Sequence, residues 1–288
     1  MATYTFPDVE LFTLDATAAD VNLGIVIETA SQNDHIIVTL EHTGDSKLPE
    51  AQTTDSSLIL RRSKSSAATT GNVYVENKSV KNEDSMLVTV PPGYGRNGSD
   101  SHSEIIDDAS KKTADTLMVI VSITPDQWLK SFTIHSSSSK VISISKDWRA
   151  NSITINTTNG NIEGTFPLLG DLTVNSLHGD LAFNTQTQHS YDPAYLTAHT
   201  LHGDVNITMK CDEFIRDRRR HITVVSTRHG DIGGRYFYSE VDDSFSTTYG
   251  AVDIIIVPSK AMLDKGLRPI VSSSYGEKNY IVDVEKKG

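Results

Sequence analysis

The sequence predicts an all-β fold, a single-stranded β-solenoid of about seven coils with an N-terminal β cap. Three observations predict it. First, one phrase recurs between Phe132 and Val282: a β-rich run, two or three Ser/Thr/Asn residues, a glycine, a polar residue and an aliphatic one. Second, the glycine slots stand at 139, where Ser139 fills the place, and at 160, 179, 203, 230, 250 and 276, so successive slots are 21, 19, 24, 27, 20 and 26 residues apart. Periods of that size mark stacked repeats rather than separate domains. Third, apolar residues alternate with Thr, Ser and Asn inside each copy, as in Ile153/Ile155 and Leu172/Val174, which buries one strand face and wets the other. Each copy then buries only against its neighbours.

Taken in order, residues 1–92 read as the cap. Extended pieces at Tyr4–Phe6, Val9–Leu14, Val21–Glu28, His35–Leu40, Leu58–Arg61, Val73–Val75 and Met86–Val90 are separated by turn residues, and Pro91-Pro92 stops the last one. Such a cap covers the unpaired backbone at a solenoid end. Residues 93–116 turn to Gly, Ser, Asp and Lys, too few apolar groups to offset ordering entropy, which predicts a mobile polar loop. Residues 117–288 form the repeat region, continuous with the cap as one domain. It opens on the aliphatic run Met118–Thr124, followed by Pro125 and Trp128-Leu129; Trp128 and Trp148 read as cap or core aromatics. The glycines fit corners of positive φ.

The clearest copies, Leu172–Leu181, Leu196–Val205 and Thr223–Ile232, together with that proline-ended entry strand, resemble the putative-adhesin family of bacteria and fungi, whose degenerate repeats run strand, Ser/Thr, Gly-Asp, aliphatic. The resemblance covers about residues 118–284 and implies a β-solenoid with an adhesin-like, non-enzymatic role at a cell surface or outside the cell. It brings no catalytic residues.

Composition narrows the rest. A formal net charge of −11 and a pI near 5.3 argue against nucleic-acid or anionic-membrane binding. Cys211, alone, permits no internal disulfide and reads as a small packing residue. No run of 18 apolar residues and no basic-then-apolar leader follows Met1, so the chain reads as soluble, without membrane insertion. Sequons at Asn77, Asn97, Asn156 and Asn206 permit a glycosylated setting.

Two groups of residues carry candidate chemistry. His178/Asp180, His202/Asp204 and His229/Asp231 repeat as His-Gly-Asp. In register they would stack about 4.8 Å apart as a His ladder and an Asp ladder. Three carboxylates so placed are structural corners, a site for a divalent metal such as zinc, or an acid pair of a carbohydrate-active enzyme, Asp180 and Asp204 standing near the roughly 5 Å of retaining glycosidases. No cofactor beyond that metal is implied, and no P-loop, dinucleotide or nucleophile-elbow motif occurs. The second group lies in the two long insertions, at 186–195 and 211–221. Tyr191, Tyr195, Arg216, Arg218, Arg219 and Arg220 have the composition of a rim that contacts a protein or glycan partner. The reading is a non-enzymatic binding protein that presents a rigid surface and loops to that partner. The alternatives are the carbohydrate-active enzyme and a metal-dependent assembly module.

Overall fold

The computed structural model describes residues 2–7, 10–16, 22–29, 35–43, 59–62, 73–76, 85–89, 116–125, 128–145, 147–188, 192–211, 219–239 and 242–284. Most of the predicted polar loop, 93–115, therefore lies outside the described residues, and Thr116 is already strand. The fold is nearly all β. Strands β1 (Ala2–Pro7), β2 (Leu11–Ala16), β3 (Asn22–Thr29), β4 (His35–Thr43), β5 (Ile59–Arg62), β6 (Val73–Glu76) and β7 (Ser85–Thr89) stand where the extended pieces were expected. They are followed by β8 (Thr116–Ile123), β9 (Trp128–Ser143), β10 (Arg149–Asn159), β11 (Ile162–Leu168), β12 (Asp171–His178), β13 (Leu181–Thr187), β14 (Ala194–His202) and β15 (Val205–Lys210). Next come β16 (His221–His229), β17 (Ile232–Tyr238), β18 (Ser244–Tyr249) and β19 (Val252–Pro258). The short helix α1 (Lys260–Lys265) precedes β20 (Ile270–Ser273) and β21 (Lys278–Val282).

From β9 onward the chain alternates between two parallel sheets. In one, β9, β10, β12, β14, β16, β18 and β20 pair in sequence; in the other, β9, β11, β13, β15, β17, β19 and β21 do. The 16-residue β9 belongs to both, pairing with β10 through residues 128–138 and with β11 through residues 141–143. Earlier strands extend each sheet: β2 and β7 add in parallel to the first, and β3 and β8 to the second, where β4 and β1 follow antiparallel. β5 and β6 form a separate antiparallel pair.

Alternation sets the core. Ile153, Ile155, Leu172, Val174, Leu196 and Ala198 from one sheet meet Ile162, Leu181, Phe183, Val205 and Ile207 from the other in a single hydrophobic cluster. Burying a Val, Leu or Ile side chain is worth about 1.5–3 kcal/mol. That makes the cluster, rather than any one turn, the source of stability.

The corner glycines have the positive φ expected of them, 156–159° at Gly179, Gly203 and Gly230, a backbone that L side chains rarely adopt. Proximity selects glycine as well: a Cβ on Gly203 would lie 2.6 Å from the carbonyl carbon of Gly179 and nearer still to its oxygen, and Gly179 and Gly230 repeat the relation with Gly160 and Gly203. Gly164 and Gly234, at φ 110° and 121°, also have positive φ.

Candidate functional site

The corner is built from the residue three places before each glycine. Ser176 and Thr157 donate to the Gly160 carbonyl, and Thr200, Thr227, Thr247 and Ser273 donate to the carbonyls of Gly179, Gly203, Gly230 and Gly250, at 2.7–3.3 Å. These hydroxyls are buried, so each needs that acceptor. In the first copy Ser136 is buried and its hydroxyl finds no partner.

The residue after the glycine closes the same seam. The Asp180 carboxylate accepts from the Asp204 amide at 2.9 Å, Asp204 from the Asp231 amide at 2.9 Å, and Asp231 from the Ala251 amide at 2.7 Å. Asn161 does the same for the Asp180 amide at 3.0 Å. A neutral amide oxygen thus performs the task at the start of the column, which identifies that task as backbone capping.

The residue before the glycine forms a ring stack. His178, His202 and His229 lie 4.8 and 4.7 Å apart, within 10° of parallel, in the register expected of a ladder. The column continues through Tyr249 and Tyr275 at 4.7 and 4.9 Å. Tyr249 and Tyr275, which precede the glycine slots at 250 and 276, take the place that His holds in the three clearest copies. The His202 pKa is held below the ordinary imidazole value by desolvation first and then by His229, His178 and Arg228. The six His and Asp residues line up along the edge instead of converging. Among the described residues, no group of three or more His, Cys, Asp or Glu side chains is placed to hold a metal ion.

The outward face of the first sheet carries two further columns. Thr13, Thr133, Thr154, Thr173, Thr197, Val224, Ser244 and Ile270 form one; His135, Asn156, Asn175, His199, Ser226, Ser246 and Ser272 form the other. From β9 to β20 neither contains an Asp, Glu, Lys or Arg, although 22% of the chain is charged; at the β2 end, Asp15 stands in register with His135. The second column is ordered by its own hydrogen bonds: Asn175 donates to Asn156 at 2.8 Å, Asn156 lies 3.2 Å from the His135 Nδ1, and the His199 Nδ1 lies 2.8 Å from the Ser226 hydroxyl. The other sheet faces outward with Asp253 and the ion pairs Lys140–Glu163 and Arg235–Asp283. Trp128, expected in cap or core, is 55% exposed and donates its indole N–H to Asn151, whereas Trp148 is fully buried. Of the sequon residues, Asn206 is exposed and Asn156 is half-buried in its column; Asn77 and Asn97 lie outside the described residues.

Of the predicted rim, Tyr191, Arg216 and Arg218 lie outside the described residues. Tyr195 and Arg220 are exposed. Arg219 is a correction: it is 4% exposed, and its guanidinium donates to the carbonyls of Asp192 (2.7 Å), Gln188 (2.7 Å), Leu168 (3.3 Å) and Leu169. It ties the 168–192 segment to β16 from inside and is not available to a partner. Burial lowers its pKa, against Cys211 and Asp192, which raise it. Cys211 packs against the core as expected. Beside Arg219, His221 is fully buried with neither ring nitrogen hydrogen-bonded, and burial brings its pKa down to about 4. Nothing in the sequence distinguished it from a loop histidine.

No family model matches this chain, and no curated protein does. Among solved structures, the crystal structure of a putative lipid binding protein from Parabacteroides distasonis aligns over 96% of both chains at 11% identity and a TM-score of 0.27, a likeness too small to bear on fold or ligand. Among the described residues, no helix is long and apolar enough to cross a membrane.

Proposed function

We propose that the chain winds as a β-solenoid of about seven coils and acts as a non-enzymatic, adhesin-like binding protein at a cell surface or outside the cell, offering a rigid polar face to a protein or glycan. The alternating parallel pairings support the winding. The observation that carries the binding reading is the uncharged run of two columns on the first sheet from β9 to β20. In a chain at −11, such a strip of Thr, Asn, Ser and His, flanked by the exposed Asp171 and Arg228, suits a neutral polar partner. Each side chain held by its neighbour loses less entropy on binding. The Asn156 amide spends one donor and one acceptor within its column and keeps capacity for another of each.

The test is adhesion of protein-coated beads to immobilised neutral polysaccharides, an anionic polysaccharide and glycoproteins. Retention on a neutral or glycoprotein surface should fall at least about tenfold, roughly 1.4 kcal/mol, in a Thr173→Lys/Asn175→Lys double variant and stay unchanged in Asn206→Lys on the other sheet. Equal retention of the two variants, or no retention anywhere, refutes the reading.

A further inference from the structure

The last two strands leave both sheets unfinished. Among the described residues β20 pairs only with β18, and β21 only with β19. The Asp283 amide donates to the Ile256 carbonyl at 2.8 Å, and the Glu277 carbonyl accepts from Val252 at 2.9 Å. Backbone groups alternate sides along a strand, so Lys278, Tyr280 and Val282 turn theirs to the open side. The ring stack ends at the same place, in a Tyr275 that is 74% exposed. Five of the thirteen exposed large hydrophobic residues, Ile270, Tyr275, Tyr280, Ile281 and Val284, fall within these last residues. Tyr280 is the one whose counterpart is covered: Ile254, in register with it, is 1% exposed, whereas Ile255, in register with Ile281, is 37% exposed and Tyr249, beneath Tyr275, is 47% exposed.

Edge strands are ordinarily blunted by proline, charge or a bulge. β20 contains neither proline nor charge, with Pro269 directly before it, and β21 carries a single charge, Lys278, at its first residue. Residues 268–284 set Arg268 and Lys278 against Glu277 and Asp283, which is electrically neutral within a chain at −11. Two copies repel over most approaches, but not end on end. The opposite end is unlike this one, with β1 antiparallel to β4 outermost in one sheet and β7 beyond β2 in the other. A head-to-tail joint would therefore meet strands of different direction and sequence, whereas a two-fold joint matches identical edges and closes.

We propose that this end is a self-recognition surface: a second copy of the chain pairs with β21 antiparallel about Tyr280, setting Lys278 opposite Val282 and Asn279 opposite Ile281, while the two β20 edges meet alongside. The inference is independent of the binding reading above. The test is sedimentation equilibrium of the full chain between about 1 and 500 μM, the range suited to a small interface. A reversible monomer–dimer equilibrium is expected. Tyr280→Pro removes an outward N–H while sparing the amides directed at β19, and Ile281→Lys puts lysines across the joint; each should raise the dimer dissociation constant at least about tenfold. Hydrogen exchange of the dilute monomer should show fast exchange at Tyr280 and Val282. A chain that stays monomeric, a dimer that both variants leave intact, an open-ended polymer, or slow exchange at those amides in the monomer each overturns the proposal.

Discussion

Gly203→Ala tests the argument on which the stacked corners rest. The added methyl would lie 2.6 Å from the Gly179 carbonyl carbon, where a carbon–carbon contact needs about 3.5–4.0 Å. Both sides of the clash are backbone, so no side chain can swing aside and neighbouring strands must part locally by about 1 Å. That separation strains the Gly203 N–H bond to the His229 carbonyl (3.0 Å) and the Thr200 hydroxyl bond to the Gly179 carbonyl (3.1 Å). Overpacking costs about 1–3 kcal/mol, each weakened hydrogen bond about 1 kcal/mol, and the lost freedom of the unfolded glycine returns about 0.4–1 kcal/mol. The net destabilisation is about 2–4 kcal/mol. Gly233→Ala controls for the loss of a glycine as such, because its φ is not positive and its Cβ would meet only the Asp253 carbonyl oxygen at 3.7 Å, an ordinary contact, whereas Gly203→Ala adds positive-φ strain to the clash. Urea unfolding by circular dichroism should separate the two variants by about 2 kcal/mol or more. If Gly203→Ala unfolds within about 0.5 kcal/mol of Gly233→Ala, close approach is not what fixes glycine at the corner.

Three further outcomes follow from the same geometry. Asp204→Asn keeps the oxygen that accepts from the Asp231 amide and should leave stability within about 0.5 kcal/mol of wild type, while Asp204→Ala, which orphans that amide, should cost about 1 kcal/mol in the same urea assay. Arg219→Ala takes a donor from four carbonyls, of which Leu168 keeps the Gln188 amide, in a buried site and should cost about 3 kcal/mol, with Arg219→Lys recovering only part, as read by thermal unfolding. His221 has a folded pKa brought down to about 4 from 6.5, so between those values the unfolded chain binds a proton that the native one refuses. Its contribution is complete above about pH 6.5 and is lost as the pH falls through about 4, about 3 kcal/mol in all, and His221→Gln should flatten the stability profile over that window.

Much of the architecture was legible because a stacked strand obeys one rule per position. Alternation in Leu172, Val174 and Ser176 named the inward face, and the recurring Ser/Thr, His and Asp around each glycine named the corner. Its reasons were legible in part. The recurring glycine announced the positive φ, but the carbonyl 2.6 Å away, which selects glycine a second time, is visible only in the path of the neighbouring strand. Arg219 and His221 escaped for a related cause. They fall at the end of the insertion read as a solvated rim, yet Arg219 reaches the carbonyls of Leu168, Leu169, Gln188 and Asp192 from inside, and His221 opens β16 in register with Ala194.

That difference bears on how function is written in such a chain. Along a column, residues recur because each position repeats the same backbone problem: Thr200 and Thr227 answer a glycine carbonyl, Asp180 and Asp204 an amide. Asn161 answers it without a charge, so the repeated acids are evidence of capping before they are evidence of chemistry. Information about partners then resides in what backbone satisfaction does not demand. The two outward columns meet no backbone requirement of the corner kind, yet from β9 to β20 they exclude charge over fourteen positions while the other sheet accepts Lys140, Glu163, Arg235 and Asp253. The end coil likewise keeps Ile270, Tyr280 and Ile281 exposed with no charge among them. Solubility alone would favour lysine or glutamate at each of these places. Their absence from these two columns and from Ile270, Tyr280 and Ile281 directs mutagenesis to Thr173/Asn175 and to Tyr280/Ile281 before the His-Gly-Asp corner.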